Sequence, residues 1–170
     1  MILRGYEGKN PRLGTRVFVA ENAAIIGDVE IGNDCSIWYS TTVRGDVNFI
    51  RIGSRTNVQD GCTIHVDHGT HATVIAEEVT IGHGAVVHGC TVHRGALIGM
   101  GSRVLSGAVI GERALVGSGA LVPEGMHVPA RTLVVGVPAR IKRPLTDEEL
   151  ARLDQSWRNY VDYKEKYLQT

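Results

Sequence analysis

The sequence predicts an all-β fold, a parallel β-helix shaped as a triangular prism, followed by one C-terminal α-helix. Three observations support this prediction. A valine or isoleucine returns at every sixth position, a small side chain precedes most of these residues by two positions, and an amphipathic segment closes the chain. A period of six fits neither an α-helix nor an ordinary two-faced strand, but it fits a solenoid with one short strand and one turn per repeat.

The six-residue repeat spans most of the chain. Its large members are Val19, Ile25, Ile31, Ile37, Val43, Ile52, Val58, Ile64, Ile75, Ile81, Val87, Val92, Ile98, Val104, Ile110, Val116, Val122, Val128 and Val134. The compact members two positions earlier are Ala23, Val29, Cys35, Thr41, Thr56, Cys62, Thr73, Val79, Ala85, Cys90, Ala96, Ser102, Ala108, Ala114 and Ala120. Three hexads per turn make a prism whose coils lie about 4.8 Å apart. The three cysteines all occupy compact positions, which predicts reduced thiols inside the core.

Two regions are expected. Residues 1–144 form the β-helix domain with a short N-terminal strand region and a proline-containing exit, and residues 145–170 form an amphipathic helix. The sequence Thr-Asp-Glu-Glu from Thr146 to Glu149 is a capping box that opens this helix. The apolar stripe of the helix contains Leu150, Leu153, Trp157, Tyr160, Val161, Tyr167 and Leu168. We therefore expect the helix to pack on a prism face or on a neighbouring subunit.

Length and charge exclude some classes of protein. The chain has 170 residues, with 18 Lys and Arg residues against 18 Asp and Glu residues. One sizeable core is therefore expected, without a bulk electrostatic bias towards nucleic acid or membrane. No segment approaches a membrane-spanning length and the N-terminus lacks an apolar signal region, so we expect a cytoplasmic protein.

The rhythm is interrupted at three places, and function is expected there because a solenoid coil needs no insertion for its own stability. Three extra residues follow Val43, five follow Ile64, and one is missing after Val87. When these irregularities are subtracted, one coil is 18 residues, and side chains one coil apart stack in columns. One column contains Arg44, His65 and His88, and a second column, around a different corner, contains Tyr39, Asp60 and His83.

The stacked histidines His65 and His88 can lean together to bind a metal, but they supply only two ligands. His83 lies about one hexad away, on the order of 15–20 Å of strand. A cyclic trimer brings the second column of one prism against the first column of its neighbour. We therefore predict a metal site formed by His65 and His88 of one subunit and His83 of the next. Three imidazoles suit zinc, iron(II) or cobalt(II).

Four short motifs surround these histidines. They are Arg44-Gly45-Asp46, Asn57-Val58-Gln59-Asp60 followed by His65, Gly82-His83-Gly84 followed by His88-Gly89-Cys90, and Ile98-Gly99-Met100-Gly101. In this set and spacing the chain resembles the γ-class carbonic anhydrase family and its carbonic-anhydrase-like relatives. The resemblance implies a left-handed helix, a homotrimer, and reversible hydration of CO2 to bicarbonate. The hexad rhythm alone would be less specific, because acyltransferases share it.

The resemblance also implies roles around the metal. A metal held by three histidines lowers the pKa of a bound water to about 7 and so supplies hydroxide at neutral pH. Gln59 resembles the glutamine that orients this hydroxide or the product, and Asn57 has a supporting role. Arg44 would hold bicarbonate or align the subunit interface through Asp46 or Asp60, and a purely structural ion pair is an equal alternative.

Two departures from the family predict slow catalysis. The founding enzyme type has a glutamate where this chain has Val47, and it has an acidic loop after the first ligand histidine. Here that loop is the short segment Val66–His71. Because hydration requires the proton to be carried away, we expect proton transfer to limit turnover unless His68 and His71 replace the missing carboxylates.

Three function classes stay open at this point. The first is a zinc-dependent carbonate dehydratase of low activity. The second is a metal-binding trimer without hydratase activity, acting as an accessory protein. The third is a hexapeptide acyltransferase or thioesterase that uses a histidine at the subunit cleft. An acyltransferase commonly needs one histidine as a base, whereas this chain places three in the candidate site. The lack of a large acceptor-binding insertion also argues against the third class.

Overall fold

The computed structural model describes residues 1–169 and confirms a β-solenoid of mostly parallel strands with one C-terminal helix. The strands are β1 (Ile2–Arg4), β2 (Arg12–Leu13), β3 (Phe18–Val19), β4 (Ala24–Ile31), β5 (Ser36–Ile37), β6 (Thr42–Ile52), β7 (Asn57–Val58), β8 (Thr63–His65), β9 (Thr73–Ile75), β10 (Thr80–Ile81), β11 (Val86–His88), β12 (Thr91–Val92), β13 (Leu97–Ile98), β14 (Arg103–Val104), β15 (Val109–Ile110), β16 (Leu115–Val116), β17 (Leu121–Val122), β18 (His127–Val128), β19 (Thr132–Val135) and β20 (Arg140–Pro144). The helix is α1 (Asp147–Leu168).

The strands stack on three faces. The first face continues from β6 through β8, β11 and β14 to β17, and the second continues from β6 through β9, β12 and β15 to β18. Strand β6 belongs to both faces because its first residues pair with β8 and its last residues pair with β9. The third face runs from β3 through β5, β7, β10, β13 and β16 to β19, and β20 pairs antiparallel with its end.

The core contains the two residue sets that the repeat predicts. The large members from Ile25 to Val134 are at most 3% exposed, and the compact members are at most 2% exposed. The three cysteines are free and buried, and burial raises the pKa of Cys35 and Cys62 to about 11 and that of Cys90 to about 12. These thiols therefore stay protonated inside the prism.

Helix α1 lies on the third face of its own prism, where it contacts β3, β5, β7 and β10. Its capping box is formed, since the Thr146 hydroxyl accepts from the backbone N–H of Glu149 and the Glu149 carboxylate accepts from that of Thr146. Leu150 and Leu153 pack against a ladder of leucines on the third face, namely Leu97, Leu115 and Leu133. Within residues 1–169, no helix combines the length and apolar character that crossing a membrane requires.

The second half of the helix departs from the predicted apolar stripe. Tyr167 and Leu168 are each 45% exposed, although the Tyr167 ring packs on Trp38. Lys164 is instead fully buried, and its ammonium lies 3.1 Å from a carboxylate oxygen of Asp34. Glu165 also pairs with this ammonium, and the two carboxylates allow a lysine to occupy the buried position, since a buried cation requires a paired anion.

Glu149 is expected to make the stability of the helix depend on pH. Hydrogen bonds from the Arg143 guanidinium and the Thr146 backbone lower its pKa from 4.5 to about 2. Because the folded pKa lies below the unfolded one, this carboxylate stabilises the folded state above pH 4.5, and the contribution is lost as the pH falls towards 2. Glu149→Gln keeps a capping side chain but removes the charge. Its stability deficit should therefore be present at pH 7 and disappear near pH 2, as measured by urea unfolding followed by helical circular dichroism.

The matched control is Glu148→Gln. Glu148 is largely exposed and pairs with Arg152 on the helix surface. Such exposed pairs contribute little, so this variant should show a much smaller deficit at pH 7. A Glu149→Gln deficit that is independent of pH would contradict the prediction.

Candidate metal centre

The parallel register of β8 and β11 places His65 directly beside His88. Ile64 and Val87 point into the core, so the residues that follow them point outwards on the same face. The two rings are 5.2 Å apart, and Nδ1 of His65 lies 3.2 Å from Nε2 of His88. Two nitrogens on one tetrahedral zinc, each bonded at about 2.0–2.1 Å, are separated by about 3.3–3.4 Å. The pair therefore has the span that a shared metal requires.

The outer nitrogen of each histidine is held by a hydrogen bond. Nε2 of His65 lies 3.0 Å from Oδ1 of Asp46, and Nδ1 of His88 lies 3.0 Å from Oγ of Ser106. An ionised carboxylate can only accept, so the proton of neutral His65 is on Nε2. Ser106 donates its own proton to Asp67, so its oxygen accepts from Nδ1–H of His88.

These tautomers leave the lone pairs of His65 Nδ1 and His88 Nε2 facing each other. Two acceptors at 3.2 Å repel each other unless a cation lies between them. Carboxylate or hydroxyl partners on the outer nitrogens are typical of metal-binding histidines, because they fix both the tautomer and the ring orientation. The donor set of this chain therefore fits a divalent metal.

Asp46 connects His65 to Arg44. Its second carboxylate oxygen pairs with the Arg44 guanidinium, so the carboxylate partner of Arg44 lies in the same chain. Partial burial raises the pKa of Asp46, but hydrogen bonds from His65 and Arg44 outweigh burial and hold this pKa below its ordinary value. Asp46 therefore remains an ionised acceptor over the physiological pH range.

His83 lies at a different corner of the prism, in the turn that follows β10. Its side chain is 47% exposed, and its Nδ1 lies 2.9 Å from Oδ2 of Asp60, which leaves Nε2 unprotonated in the neutral ring. Asp60 and His83 are stacked in successive coils, as the predicted column requires. Strand β10 pairs with β7 just before them, and the backbone N–H of Gly84 donates to the carbonyl of Asp60. Within residues 1–169, no three His, Cys, Asp or Glu side chains form a group that could hold a metal. One chain thus brings together two of the three predicted ligands.

Gln59 and Asn57 are buried near His83 and are 6% and 1% exposed. Gln59 accepts from the backbone N–H of His83 at 3.2 Å and donates to Oδ1 of Asn57 at 3.1 Å. These two predicted site residues are therefore attached to the corner of His83 rather than to the His65 and His88 pair.

The loop after His65 is closed on itself. The backbone N–H of Asp67 donates to the carbonyl of His71 at 2.9 Å, and the two side chains are joined by a 3.2 Å contact. Hydrogen bonds from Ser106 and His71 hold the pKa of Asp67 below its ordinary value against the effect of burial. The structure separates the two predicted shuttle histidines, since His71 contacts Asp67 whereas His68 is exposed at the loop tip.

Sequence reasoning missed Ser106 as a partner of His88. The signal was present, because Ser106 is 18 residues after His88 and follows Leu105, which extends the column of His65 and His88. The residue next to Leu105 in the sequence was therefore a candidate partner for the His88 ring.

The fold and the repeat define a hexapeptide-repeat solenoid protein. Residues 89–124 match the family described as bacterial transferase hexapeptide (six repeats). A solved hexapeptide transferase family protein from Anaplasma phagocytophilum superposes with a TM-score of 0.94 at 41% identity, covering 98% of each chain.

Curated relatives define the family more narrowly. Protein YrdA of Escherichia coli strain K12 is 44% identical over 98% of this chain and 94% of its own. The carbonic anhydrase of Geobacillus kaustophilus is 41% identical over 95% of this chain and 88% of its own. The chain belongs to the γ-class carbonic anhydrase family, as its motifs predict.

Replacing Asp46 should weaken metal binding. In Asp46→Asn the charged acceptor of His65 Nε2–H is lost, so the affinity for Zn2+ should fall about 10–100-fold, the usual effect of removing such a partner. Competition with a chromophoric chelator measures this affinity directly. The control is Asp28→Asn, because that carboxylate pairs with Arg51 and Lys9 instead of a histidine. Equal losses in both variants would show that the effect is not specific to His65.

Proposed function

We propose that this chain is one subunit of a homotrimer that reversibly hydrates CO2 to bicarbonate. The metal, zinc or alternatively iron(II) or cobalt(II), would be held by His65 and His88 of one subunit and His83 of the next. The observation that supports this most is the pair of facing ring nitrogens of His65 and His88, which lie 3.2 Å apart while the outer nitrogen of each ring is hydrogen-bonded to Asp46 or Ser106. The similarity to proteins named carbonic anhydrase supports the same reaction.

A divalent metal in this donor set would supply hydroxide at neutral pH, the nucleophile that CO2 hydration requires. The protein must then keep each imidazole neutral and correctly oriented. Asp46, Asp60 and Ser106 do so by accepting hydrogen bonds from the ring N–H groups of His65, His83 and His88. Each metal-facing nitrogen thereby keeps its lone pair.

Arg44 and Gln59 are suited to bind the substrate and product. The Arg44 side chain is 42% exposed, and its guanidinium has five N–H donors, of which Asp46 uses only part. The remaining donors fit the carboxylate-like oxygens of bicarbonate. Gln59 uses its oxygen on His83 and one amide proton on Asn57, so its second amide proton can bind a substrate oxygen.

The subunit interface is part of this proposal. His83 lies at another corner of the prism from His65 and His88, so in this proposal a neighbouring copy contributes the third histidine. Cyclic symmetry then makes three equivalent sites, each of which combines two columns from different chains.

Complementation tests the shared site. His65→Ala and His83→Ala homotrimers should each lack intact sites. Mixed trimers formed by denaturing and refolding the two variants together at equal amounts should recover about a quarter of the sites, as random mixing around a ring requires. The measurement is bound Zn2+ per trimer, with CO2 hydration as a second readout.

The matched control mixes His65→Ala with His88→Ala. Both changes damage the same half of the site, so no combination of these chains contains an intact site and no recovery is expected. Recovery in the control, or none from His65→Ala with His83→Ala in trimers shown to be mixed, would contradict a site shared between subunits.

We further propose that proton transfer limits turnover and that His71 assists it. Neither position 47 nor the short loop carries the glutamate that the family resemblance leads one to expect, whereas His71 is half-exposed and its Nδ1 contacts Asp67. Its Nε2 can therefore take up a proton and pass it to buffer.

Single substitutions in the loop separate the two histidines. At low buffer concentration His71→Ala should turn over more slowly than wild type, and imidazole buffer should restore its rate up to saturation. His68→Ala, the matched control, should behave as wild type because His68 does not contact Asp67. Turnover that ignores both buffer concentration and deuterated solvent would place the slow step elsewhere.

Acyl transfer is the second candidate function, favoured by the transferase hexapeptide match and by the transferase-family structure. Release of free thiol from acyl-coenzyme A, assayed on the metal-replete trimer, tests it. A trimer that binds metal but neither hydrates CO2 nor releases thiol would match the accessory-protein alternative.

A further inference from the structure

A continuous line of hydrogen bonds connects the C-terminal helix to the backbone of His83. The backbone N–H of His83 donates to Gln59, Gln59 donates to Asn57, and Asn57 donates to the hydroxyl of Thr80 at 3.0 Å. The Thr80 hydroxyl in turn donates to Oγ of Ser156 on the helix at 3.3 Å. Every bond points in the same direction, so each polarises the next.

This line of hydrogen bonds lies in a column of the third face that is apolar in the later coils. One outward column on the third face contains Ser36, Asn57, Thr80, Leu97, Leu115 and Leu133. Its leucines pack under the helix residues Leu150 and Leu153. The column is polar instead at Ser36, Asn57 and Thr80, and at Thr80 the helix presents Ser156 rather than a leucine.

Polar side chains in place of leucines destabilise a buried position unless all their hydrogen-bonding groups have partners. Asn57, Gln59 and Thr80 are all at most 6% exposed. A buried amide or hydroxyl destabilises a protein when it lacks a partner, whereas a complete network rigidifies its members. Leucines at these positions would continue the apolar ladder, so the polar set points to a role in the site.

We propose that Thr80 and Ser156 are positioning residues that act through Asn57 and Gln59 to fix the backbone at His83. Helix α1 thereby sets the geometry of one metal ligand and the orientation of the Gln59 amide. The Asn57 amide donates to Thr80 at 3.0 Å and, over a longer distance of 3.4 Å, to the carbonyl of Val79. The shorter bond to Thr80 therefore helps to fix the direction of the Asn57 amide and hence that of Gln59. This inference rests on the proposed function, in which His83 is a ligand.

The test follows the backbone amide of His83 in trimers labelled with 15N-histidine. Thr80→Val keeps the shape of the side chain but leaves Asn57 without its hydroxyl acceptor. The His83 amide should shift and exchange with solvent about threefold to tenfold faster, the effect of weakening a single hydrogen bond. Thr80→Ser retains the hydroxyl and should restore wild-type exchange. Ser156→Ala, at the partly buried end of the line, should change exchange in the same direction, and it serves as the test if Thr80→Val does not assemble.

Two controls separate positioning from general stability. Thr132→Val removes a buried hydroxyl on the same face that donates to the carbonyl of Ala130, and it should leave the His83 amide unchanged. Asp154→Asn breaks the pair of the helix with Arg113 without touching Ser156, and it should also leave that amide unchanged. An unchanged His83 amide in both Thr80→Val and Ser156→Ala, or an equal response to Asp154→Asn, overturns the proposal.

The readout is independent of catalysis. If the His83 amide responds as expected in a trimer that hydrates no CO2, the positioning line stands and the proposed function fails. If the trimer is active and the amide does not respond, the reverse holds. In an active trimer, Thr80→Val should also lower kcat more than it raises KM, because it misplaces groups at the reacting centre rather than removing substrate contacts.

Discussion

The backbone ladder between successive coils is the constraint on which the rest of this structure depends. Neighbouring coils exchange N–H to carbonyl hydrogen bonds in both directions, so adjacent strands must stay in register along the whole prism. A slip of one residue would turn every buried side chain outwards. Strand β6 keeps this register with β8 at one end and with β9 at the other. Extra residues can therefore be accommodated only at the corners of the prism, and the candidate site lies beside these insertions.

Hydrogen bonds to the outer nitrogens of the stacked histidines determine what these side chains can bind. Stacking brings His65 and His88 together, but Asp46 and Ser106 decide which of their nitrogens keep a lone pair. The pKa values of Asp46 and Asp67 are both held below the ordinary range. These carboxylates therefore remain hydrogen-bond acceptors well into acid conditions.

The spacing of residues in the sequence predicts the features that depend on backbone register. It does not predict the contacts that depend on side-chain conformation. The period of six identifies the buried layers and the stacking of His65 on His88, because backbone register alone determines both. It cannot predict that Asp46 reaches His65, since that contact depends on the rotamers of two side chains. The burial of Lys164 against Asp34 joins residues 130 positions apart, and an apolar stripe contains no signal for it.

Closure of the loop between Asp67 and His71 has a consequence for the history of this scaffold. A backbone hydrogen bond between Asp67 and His71 closes the insertion at its base. The positions of strands β8 and β9 therefore do not depend on which residues form the tip of the loop. Substitutions there can accumulate by drift without disturbing the coils below. The side chains of the loop tip can thus be exchanged while the stacked histidines stay in place.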